Sequence, residues 1–174
     1  HYRQLKEKGV PVIFFDRVEK NSDNTVVVID NHKGGYDATK HLIDQGCKRI
    51  AHITSNLRRN VYAERYRGYK DALQDNGLKA DENLLIVDNL SEEAGINAAL
   101  KLFKMKSLPD GAFITNDFVA AAFIKTLKTH KIKIPGDIAV VGFNNDAIAH
   151  LIEPSLTTIN YPGIEMGEIA ARTL

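Results

Sequence analysis

The sequence predicts an α/β fold of parallel sheets flanked by helices, and three observations lead to this prediction. Short runs of β-branched and apolar residues alternate with longer segments of helical periodicity over the 174-residue chain, which is the pattern of strand–helix–strand units. The strand segments are apolar throughout rather than at alternate positions, as expected where helices bury both faces of a parallel sheet. Hydrophobic residues make up 44% of the chain, which is enough to form a core.

Seven strands are predicted from runs rich in Val, Ile, Phe or Thr. In chain order they cover residues 11–16, 26–30, 49–54, 84–87, 112–115, 138–143 and 157–160. The segment Ile134-Pro135-Gly136-Asp137 precedes the sixth strand, and proline followed by glycine marks a turn.

Five helices are predicted between and after these strands. They cover residues 35–45, 62–75, 92–104, 118–130 and 164–174. Gly46 and Gly77 stand where left-handed caps end the first two helices, and Ser91 and Asn116 stand where an N-cap side chain begins the third and fourth. One face of the second helix carries a stripe that we interpret as core-facing, made of Tyr62, Tyr66, Tyr69 and Leu73.

Charge, hydropathy and cysteine content restrict the functional classes. The 23 basic and 22 acidic residues give a net charge of +1, which supplies no strong electrostatic footprint for direct binding of nucleic acid. No apolar run approaches the roughly 20 residues that cross a bilayer, and no secretory signal is visible in the sequence. The single cysteine, Cys47, indicates a reducing compartment. We therefore expect a cytoplasmic protein that does not associate with membranes.

Common signatures of enzymes and metal sites are missing from the sequence. Dinucleotide-binding, phosphate-loop, serine-hydrolase and zinc-protease motifs do not occur. The six histidines are scattered, without a pair at the close spacing of metal ligands on one element. We therefore expect no catalysis, no cofactor and no metal site.

Polar residues follow four of the predicted strands, at the place where an open α/β sheet forms its ligand crevice. They are Asp16, Arg17, Asp30, Asn31, Asn116, Asp117, Asn144, Asn145 and Asp146. Carboxylates accept hydroxyl protons and amides both donate and accept, which suits recognition of a polyhydroxy ligand. Any one of these residues could instead be an ordinary helix cap or turn residue, and that alternative stays open.

Two arginines in or just after the polar loop 55–60 are candidates for holding ligand oxygens. The planar guanidinium of Arg59 or Arg65 can donate two parallel hydrogen bonds to a ligand. A surface ion pair is the alternative for Arg59. It is the favoured interpretation for the neighbouring Arg58.

A series of short motifs runs through the whole chain. They are GVPVIFFDR at 9–17, KRIA at 48–51, RYRGY at 65–69, TND at 115–117, IPGDI at 134–138, VVGF at 140–143 and PSLTTI at 154–159. In the order and spacing of these motifs the chain resembles the effector-binding domain of the lactose/galactose-repressor family of bacterial transcriptional regulators.

The resemblance implies a periplasmic-binding-protein-like fold of type I, in which two α/β subdomains are joined by crossover strands and enclose a ligand cleft. Residues 30–160 would form the C-terminal subdomain, while residues 1–29 and 161–174 would belong to the N-terminal subdomain. The crossovers are expected near Ile29-Asp30 and Asn160-Tyr161. The family's DNA-binding headpiece is expected upstream of a chain that would be truncated at both ends.

The resemblance also implies which residues contact the effector. Asp16, Arg65 and Asn116 match the aspartate, arginine and asparagine that contact effectors in the family, and Arg59 lies in a loop that varies among its members. Two positions depart from the pattern of the family. The family commonly has an aspartate where this chain has Asn144, and often a stacking aromatic ring where this chain has Leu90. The missing ring disfavours a flat purine. The expected effector-binding set is Asp16, Arg59, Arg65, Leu90, Asn116 and Asn144.

These implications lead us to expect the effector-binding and dimerisation domain of a sugar-responsive transcriptional repressor. Its expected partners are a small sugar or related metabolite, a second copy of the protein, and operator DNA bound through the headpiece. A periplasmic or membrane-anchored sugar-binding protein for transport or chemosensing is the first alternative. An enzyme on a similar open sheet is the second, with Asp16 and Asp117 as candidate acid and base groups.

Overall fold

The computed structural model describes residues 2–18 and 24–174, which form two parallel sheets. The small sheet pairs β1 (Ile13–Phe15) with β2 (Thr25–Val27). Helix α1 (Tyr2–Glu7) precedes this sheet. Helix α7 (Gly163–Thr173), from the other end of the chain, packs against both of its strands.

The large sheet has five parallel strands in the order β4-β3-β5-β6-β7. Their bounds are β3 (Ile50–Thr54), β4 (Leu85–Val87), β5 (Gly111–Ile114), β6 (Ala139–Asn144) and β7 (Thr157–Asn160). Every residue of β3 and β5 is buried, because helices cover both faces of the sheet. The predicted fold class, parallel sheets flanked by helices, is confirmed.

Helices on the two faces of the large sheet form two separate apolar cores. Their bounds are α2 (Asn31–Asp44), α3 (Asn60–Asp75), α4 (Glu92–Phe103), α5 (Asp117–Thr129) and α6 (Ile148–Leu151), with a 3-10 helix over Glu82–Leu84. Helices α2 and α3 enclose one core around Leu42, Tyr69 and Phe143. Helices α4 and α5 enclose the other around Leu102 and Phe123.

Helices α2 and α3 approach each other closely at two glycines. A Cβ atom on Gly35 would overlap the backbone of Arg65, and a Cβ atom on Gly68 would overlap the backbone carbonyl of His32. Any larger residue at either position would push the helices apart, since neither backbone can yield as a flexible side chain could. The contact sets Arg65, on α3, beside the first residue of α2, Asn31.

The observed elements differ most from the predicted ones at the start of α2, at the end of β2 and in two short helices. Helix α2 begins at Asn31 instead of residue 35, because the Asp30 side chain accepts a hydrogen bond from the backbone N–H of Lys33 at 2.8 Å and caps the helix there. The predicted strand 26–30 therefore ends at Val27. Helices α1 and α6 were not predicted, since six and four residues are too few to show a helical period.

Two short segments lead from one sheet to the other. Residues 28–30 connect β2 to α2, and residues 161–162 connect β7 to α7. The predicted subdomain boundaries at 29/30 and 160/161 fall in or next to these segments; the division itself stays a prediction. Of the predicted N-terminal piece 1–29, residues 1 and 19–23 lie outside the described residues.

Within residues 2–18 and 24–174, no helix has the length and apolar character needed to cross a membrane. Across the same described ranges, no group of three or more His, Cys, Asp or Glu side chains is arranged to hold a metal ion.

Candidate ligand site

A cavity of about 560 Å³ lies between the two sheets, where β1, β5 and β6 end. Parallel strands place their carboxyl ends, and the polar residues that follow them, along one edge. The polar side chains that line the cavity are Asp16, Arg17, Tyr62, Arg65, Thr115, Asn116, Asn144, Asn145, Asp146 and Tyr161, and Leu90 adds an apolar surface.

Five of the six residues predicted to bind an effector lie together around this cavity: Asp16, Arg65, Leu90, Asn116 and Asn144. Arg59 is the exception. It is the exposed N-cap residue of α3, where its side chain makes no capping hydrogen bond, and it lies outside the lining of the cavity. Its backbone N–H donates to the carbonyl of Asn56 at 3.0 Å.

Arg65 is a buried cation held by neutral groups. Its side chain is only 4% exposed, Nε donates to Asn31 Oδ1 at 2.9 Å, and Nη1 donates to the Thr115 carbonyl at 3.2 Å. The guanidinium carbon lies 3.5 Å from the ring centroid of Phe143. Burial lowers the pKa of Arg65 to about 10, against the smaller opposing effects of Tyr62 and Asp16.

Arg65 therefore has hydrogen-bonding capacity left over. A guanidinium carries five N–H donors, and two of them have acceptors within the part of the chain that the structure describes. No carboxylate of the described residues lies within 4 Å of it to form an ion pair. The remaining donors are available to oxygen atoms of a ligand.

Asp16 and Arg17 bring the small sheet into contact with the rest of the cavity. Asp16 Oδ2 lies 3.6 Å from Arg17 Nε, and Arg17 Nη2 donates to the hydroxyl of Tyr62, on α3, at 3.3 Å. The Tyr161 side chain lies near the Asp16 carboxylate. Burial, followed by the negative charge and the acceptor oxygens of Asp16, raises the pKa of Tyr161 to about 12.

The backbone of Asp16 is in a left-handed conformation, with φ of 65°. Outside glycine this conformation costs about 1–3 kcal/mol and persists where surrounding structure imposes it. The backbone N–H of Asp16 donates to the Val27 carbonyl at 3.1 Å, which fixes the turn at the end of β1. The turn directs the Asp16 carboxylate toward Tyr161.

Asn116 has a structural role as well as a place in the cavity. Its Oδ1 accepts a hydrogen bond from the Val119 N–H at 3.1 Å and caps α5, which is the capping alternative considered for polar residues after strands. The amide nitrogen has no acceptor among the described residues. The cap thus orients Asn116 so that its Nδ2 can donate to a ligand.

Asp117 supports the site from outside its lining. It is fully buried, and its carboxylate accepts the Thr158 hydroxyl at 2.7 Å and the backbone N–H of Asp146 at 2.8 Å. Burial raises the pKa of Asp117, while these hydrogen bonds act in the opposite direction. Asp117 ties β7 and the loop after β6 to the start of α5.

The last residue of β6 and the first residue of the loop after it are left-handed. Asn144 has φ of 121° and Asn145 has φ of 59°, and asparagine tolerates such values better than most residues. Asn144 Nδ2 donates to Asp146 Oδ2 at 3.1 Å, and Asn145 Nδ2 donates to Asn160 Oδ1 at 3.2 Å. The loop therefore presents Asn144 and Asp146 to the cavity as a hydrogen-bonded pair.

Sequence reasoning missed two tyrosines of the cavity. Tyr62 was interpreted as core-facing; it is 5% exposed, but its hydroxyl reaches Arg17 and its ring lines the cavity. Tyr161 was not considered as a site residue. The signal that could have found it is its position directly after the expected crossover at Asn160, since residues at a crossover must border the cleft.

Known proteins are similar to this chain in sequence and in fold. Residues 39–174 match the family model described as a periplasmic binding protein-like domain. Catabolite control protein A of Priestia megaterium is 29% identical over 100% of this chain and 53% of its own length. The HTH-type transcriptional repressor PurR of Vibrio atlanticus is 33% identical over 97% of this chain and 51% of its own length. The chain thus spans about half the length of the curated relatives it matches.

Solved structures of transcriptional regulators superpose on almost the whole of this chain. The transcription regulator CcpA of Lactococcus lactis superposes with a TM-score of 0.89 at 31% identity, over 99% of this chain and 63% of that one. A complex of the transcriptional regulator CelR with cellobiose superposes with a TM-score of 0.90 at 32% identity, over 99% of this chain and 54% of that one.

Proposed function

The chain belongs to the family of periplasmic binding protein-like domains carried by lactose/galactose-repressor-type regulators, and we propose that it binds the small-molecule effector of such a regulator. The observation that carries this proposal is the cavity between the two sheets. Its lining combines a buried guanidinium with carboxylates, amides and tyrosine hydroxyls. These groups can recognise a small polar molecule on several sides at once.

A sugar or related metabolite is the effector that this lining favours. Arg65 and Asn116 offer unused donors, and Asp16 and Asp146 offer acceptor oxygens, so that ligand hydroxyls can be bound in both roles. The solved relative CelR holds cellobiose. Leu90 supplies an apolar contact but no ring on which a flat base could stack.

Effector binding would act on the regulator by changing how the two sheets sit about the cavity. Asp16 and Arg17 follow a strand of the small sheet, whereas Asn116 and Asn144 follow or end strands of the large one. A ligand that bonds to both sides favours the arrangement in which both can reach it. That shift in population would alter operator binding by a headpiece upstream, inside the cytoplasm.

Binding without conversion is part of the proposal. Of the two carboxylates considered as acid and base, Asp16 pairs with Arg17, and Asp117 is bonded to Thr158 and Asp146 outside the cavity lining. Neither is hydrogen-bonded to a serine or cysteine nucleophile among the described residues. The site is therefore suited to recognition.

A second copy of the protein is the partner proposed for the surface formed by α5 and α6. This surface has an apolar groove of about 700 Å³ that includes Phe118, and the neighbouring Leu151 is 79% exposed. Both acidic and basic side chains line the groove: Glu92, Glu153, Lys125 and Lys128. In a two-fold dimer the same patch meets itself, so the lysines of one copy can face the carboxylates of the other.

Calorimetry with a panel of neutral sugars, combined with NMR analysis of each mixture, tests the proposed function in the intact protein. We expect saturable binding of at least one sugar, which is recovered unchanged. Conversion of the bound sugar would overturn the proposal of a non-catalytic binding domain. Failure of every sugar to bind would overturn the proposed effector class.

A further inference from the structure

The carboxylate at the β6 end of the cavity comes from Asp146. Residue 144, the last of β6, is an asparagine, and its Nδ2 donates to Asp146 Oδ2 at 3.1 Å. Both residues line the cavity. The hydrogen bond to Asp146 holds the amide nitrogen of Asn144 and so orients the side chain. The amide oxygen of Asn144 has no donor among the described residues and can accept a hydrogen bond from a ligand.

The position of Asp146 is set by its backbone and does not depend on its side chain. The backbone N–H of Asp146 donates to Asp117 Oδ2 at 2.8 Å, and the fully buried Asp117 is held in turn by the Thr158 hydroxyl. Every residue at position 146 except proline keeps this N–H. The carboxylate can therefore be replaced while the loop stays anchored.

From this arrangement we propose that Asp146 determines the specificity of the cavity by holding Asn144 so that its amide oxygen accepts a ligand hydroxyl, and by repelling anionic groups at that end. The inference rests on the proposed function, since it concerns what the same cavity accepts. Neither cation of the lining, Arg17 nor Arg65, lies within 4 Å of the Asp146 carboxylate to form an ion pair with it. Arg17 pairs with Asp16, and Arg65 is bonded to Asn31 and Thr115.

Three variants separate the effect of the Asp146 charge from the effect of its hydrogen bond with Asn144. Asp146→Asn removes the charge but keeps an oxygen that can accept from Asn144 Nδ2, whereas Asp146→Ala removes the charge and the acceptor together. Asp44→Asn is the matched control, because it removes one negative charge from the exposed end of α2, outside the cavity lining.

Calorimetry on the intact protein would compare sugars with their anionic counterparts: D-glucose with D-glucuronate, D-galactose with D-galacturonate, and D-ribose with D-ribose 5-phosphate. Relative to wild type, Asp146→Asn should shift the preference between the neutral and the anionic member about tenfold toward the anionic one, the size expected from one nearby charge. Asp146→Ala should weaken neutral sugar binding about tenfold as well, because Asn144 loses its partner. Asp44→Asn should leave unchanged both the preference between neutral and anionic members and the affinity for neutral sugars.

A second readout follows the Asn144 side chain directly in protein labelled with ¹⁵N-asparagine. Its amide resonances should shift in Asp146→Ala and stay close to their wild-type positions in Asp146→Asn. Unchanged resonances in Asp146→Ala would overturn the inference whether or not a sugar binds. Sugar binding with an unaltered neutral-to-anionic preference in Asp146→Asn would overturn it too, but would leave the proposed function intact. Failure of all six compounds to bind wild type would overturn the proposed function and, with it, the discrimination.

Discussion

At the scale of single residues, Arg65 combines burial, charge and unused donors. A buried charge is costly unless hydrogen bonds or an opposite charge compensate for it. Here an amide oxygen, a backbone carbonyl and the face of Phe143 provide the compensation. None of them is negatively charged, which leaves the cation able to bind oxygens of a ligand.

The first prediction concerns Arg65 itself. We expect Arg65→Ala to weaken effector binding by about 1.5–3 kcal/mol, the value of hydrogen bonds to a charged group. Arg65→Met retains the packing on Phe143 and should lose affinity to a similar extent, so that a loss of folding can be told apart from a loss of contacts. Arg58→Ala, at an exposed position of the preceding loop, is the control. Unchanged affinity in calorimetry would assign Arg65 a structural role only.

The second prediction concerns Asn144. Asn144→Asp would place a second carboxylate beside Asp146, where the wild-type amide donates at 3.1 Å. We expect effector affinity to fall by about 1–3 kcal/mol, because a donor is lost and two acceptors face each other. The double variant Asn144→Asp/Asp146→Asn restores one donor and one carboxylate and should recover most of the loss. Equal or tighter binding by Asn144→Asp would show that the amide does not matter.

The third prediction concerns His52, which lies in the middle of β3 with no exposed surface. Its ring stacks against Tyr69 and Phe113, with centroids 4.9 and 4.8 Å away. Burial lowers the pKa of His52 from 6.5 to about 3, and a backbone interaction at Phe113 opposes this only in part. The imidazole of His52 is therefore protonated less readily in the folded protein than in the unfolded chain.

The contribution of His52 to stability follows from the sign of that shift. It is complete above about pH 6.5 and is lost as the pH falls from there toward about 3. Between pH 7.5 and pH 5 the free energy of unfolding should fall by about 2 kcal/mol on account of this one group. Denaturant titrations of wild type and His52→Phe at both pH values measure it. An equal pH dependence in the two proteins would contradict the assignment.

At the scale of elements, the crossing of α2 and α3 sets the geometry of the site. Gly35 and Gly68 let the two helix backbones touch, and that contact brings Asn31 within hydrogen-bonding distance of Arg65. The capping of α2 by Asp30 contributes as well, since a helix that began four residues later would not contain Asn31.

The fourth prediction tests this crossing. Gly68→Ala should destabilise the protein by about 1–3 kcal/mol, because the added methyl overlaps the backbone of α2, and it should weaken effector binding by moving Arg65. Gly167→Ala is the matched control in α7, where a Cβ meets nothing within 4 Å. That substitution should stabilise the protein by up to about 1 kcal/mol through helix propensity. Thermal unfolding gives the change in melting temperature of each variant relative to wild type. Similar changes in the two variants would argue against close packing of α2 on α3.

At the scale of the whole molecule, the cavity depends on contacts between two sheets. Arg17 donates a hydrogen bond from the small sheet to the Tyr62 hydroxyl on α3, and Tyr161, on the connection after β7, lies near Asp16. These polar bonds can be exchanged for ligand contacts more readily than an apolar core can be opened. A cleft held in this way is suited to open and close around a ligand.

The fifth prediction concerns assembly of whole molecules through the surface of α5 and α6. Phe118 is 59% exposed and lines the apolar groove, so Phe118→Lys should disrupt a dimer by adding a charge to its centre. Sedimentation velocity should show a dimer for wild type and a monomer for the variant, and effector affinity should be kept. If Phe118→Lys sediments as a dimer, as wild type is expected to do, the proposed interface is wrong.

The fold class and the order along the chain of the seven strands and the five longer helices could be predicted from the sequence. Both depend on local properties: β-branched apolar runs, helical periodicity, and caps such as Ser91 and Asn116, whose side chains accept bonds from Ala94 and Val119. It also indicated that polar residues gather where the strands end, because in parallel sheets those ends share one edge.

Which of those residues come into contact depends on how the helices and sheets pack. Arg59 and Arg65 have the same chemistry and lie six positions apart, yet the helix crossing buries Arg65 in the cavity and leaves Arg59 exposed. The pairing of Asn144 with Asp146 depends on two left-handed residues that no periodicity reveals, and Tyr161 lies near Asp16 although the two are far apart in the chain. The physical reason is that such neighbours are set by packing between distant segments, which local propensity does not encode.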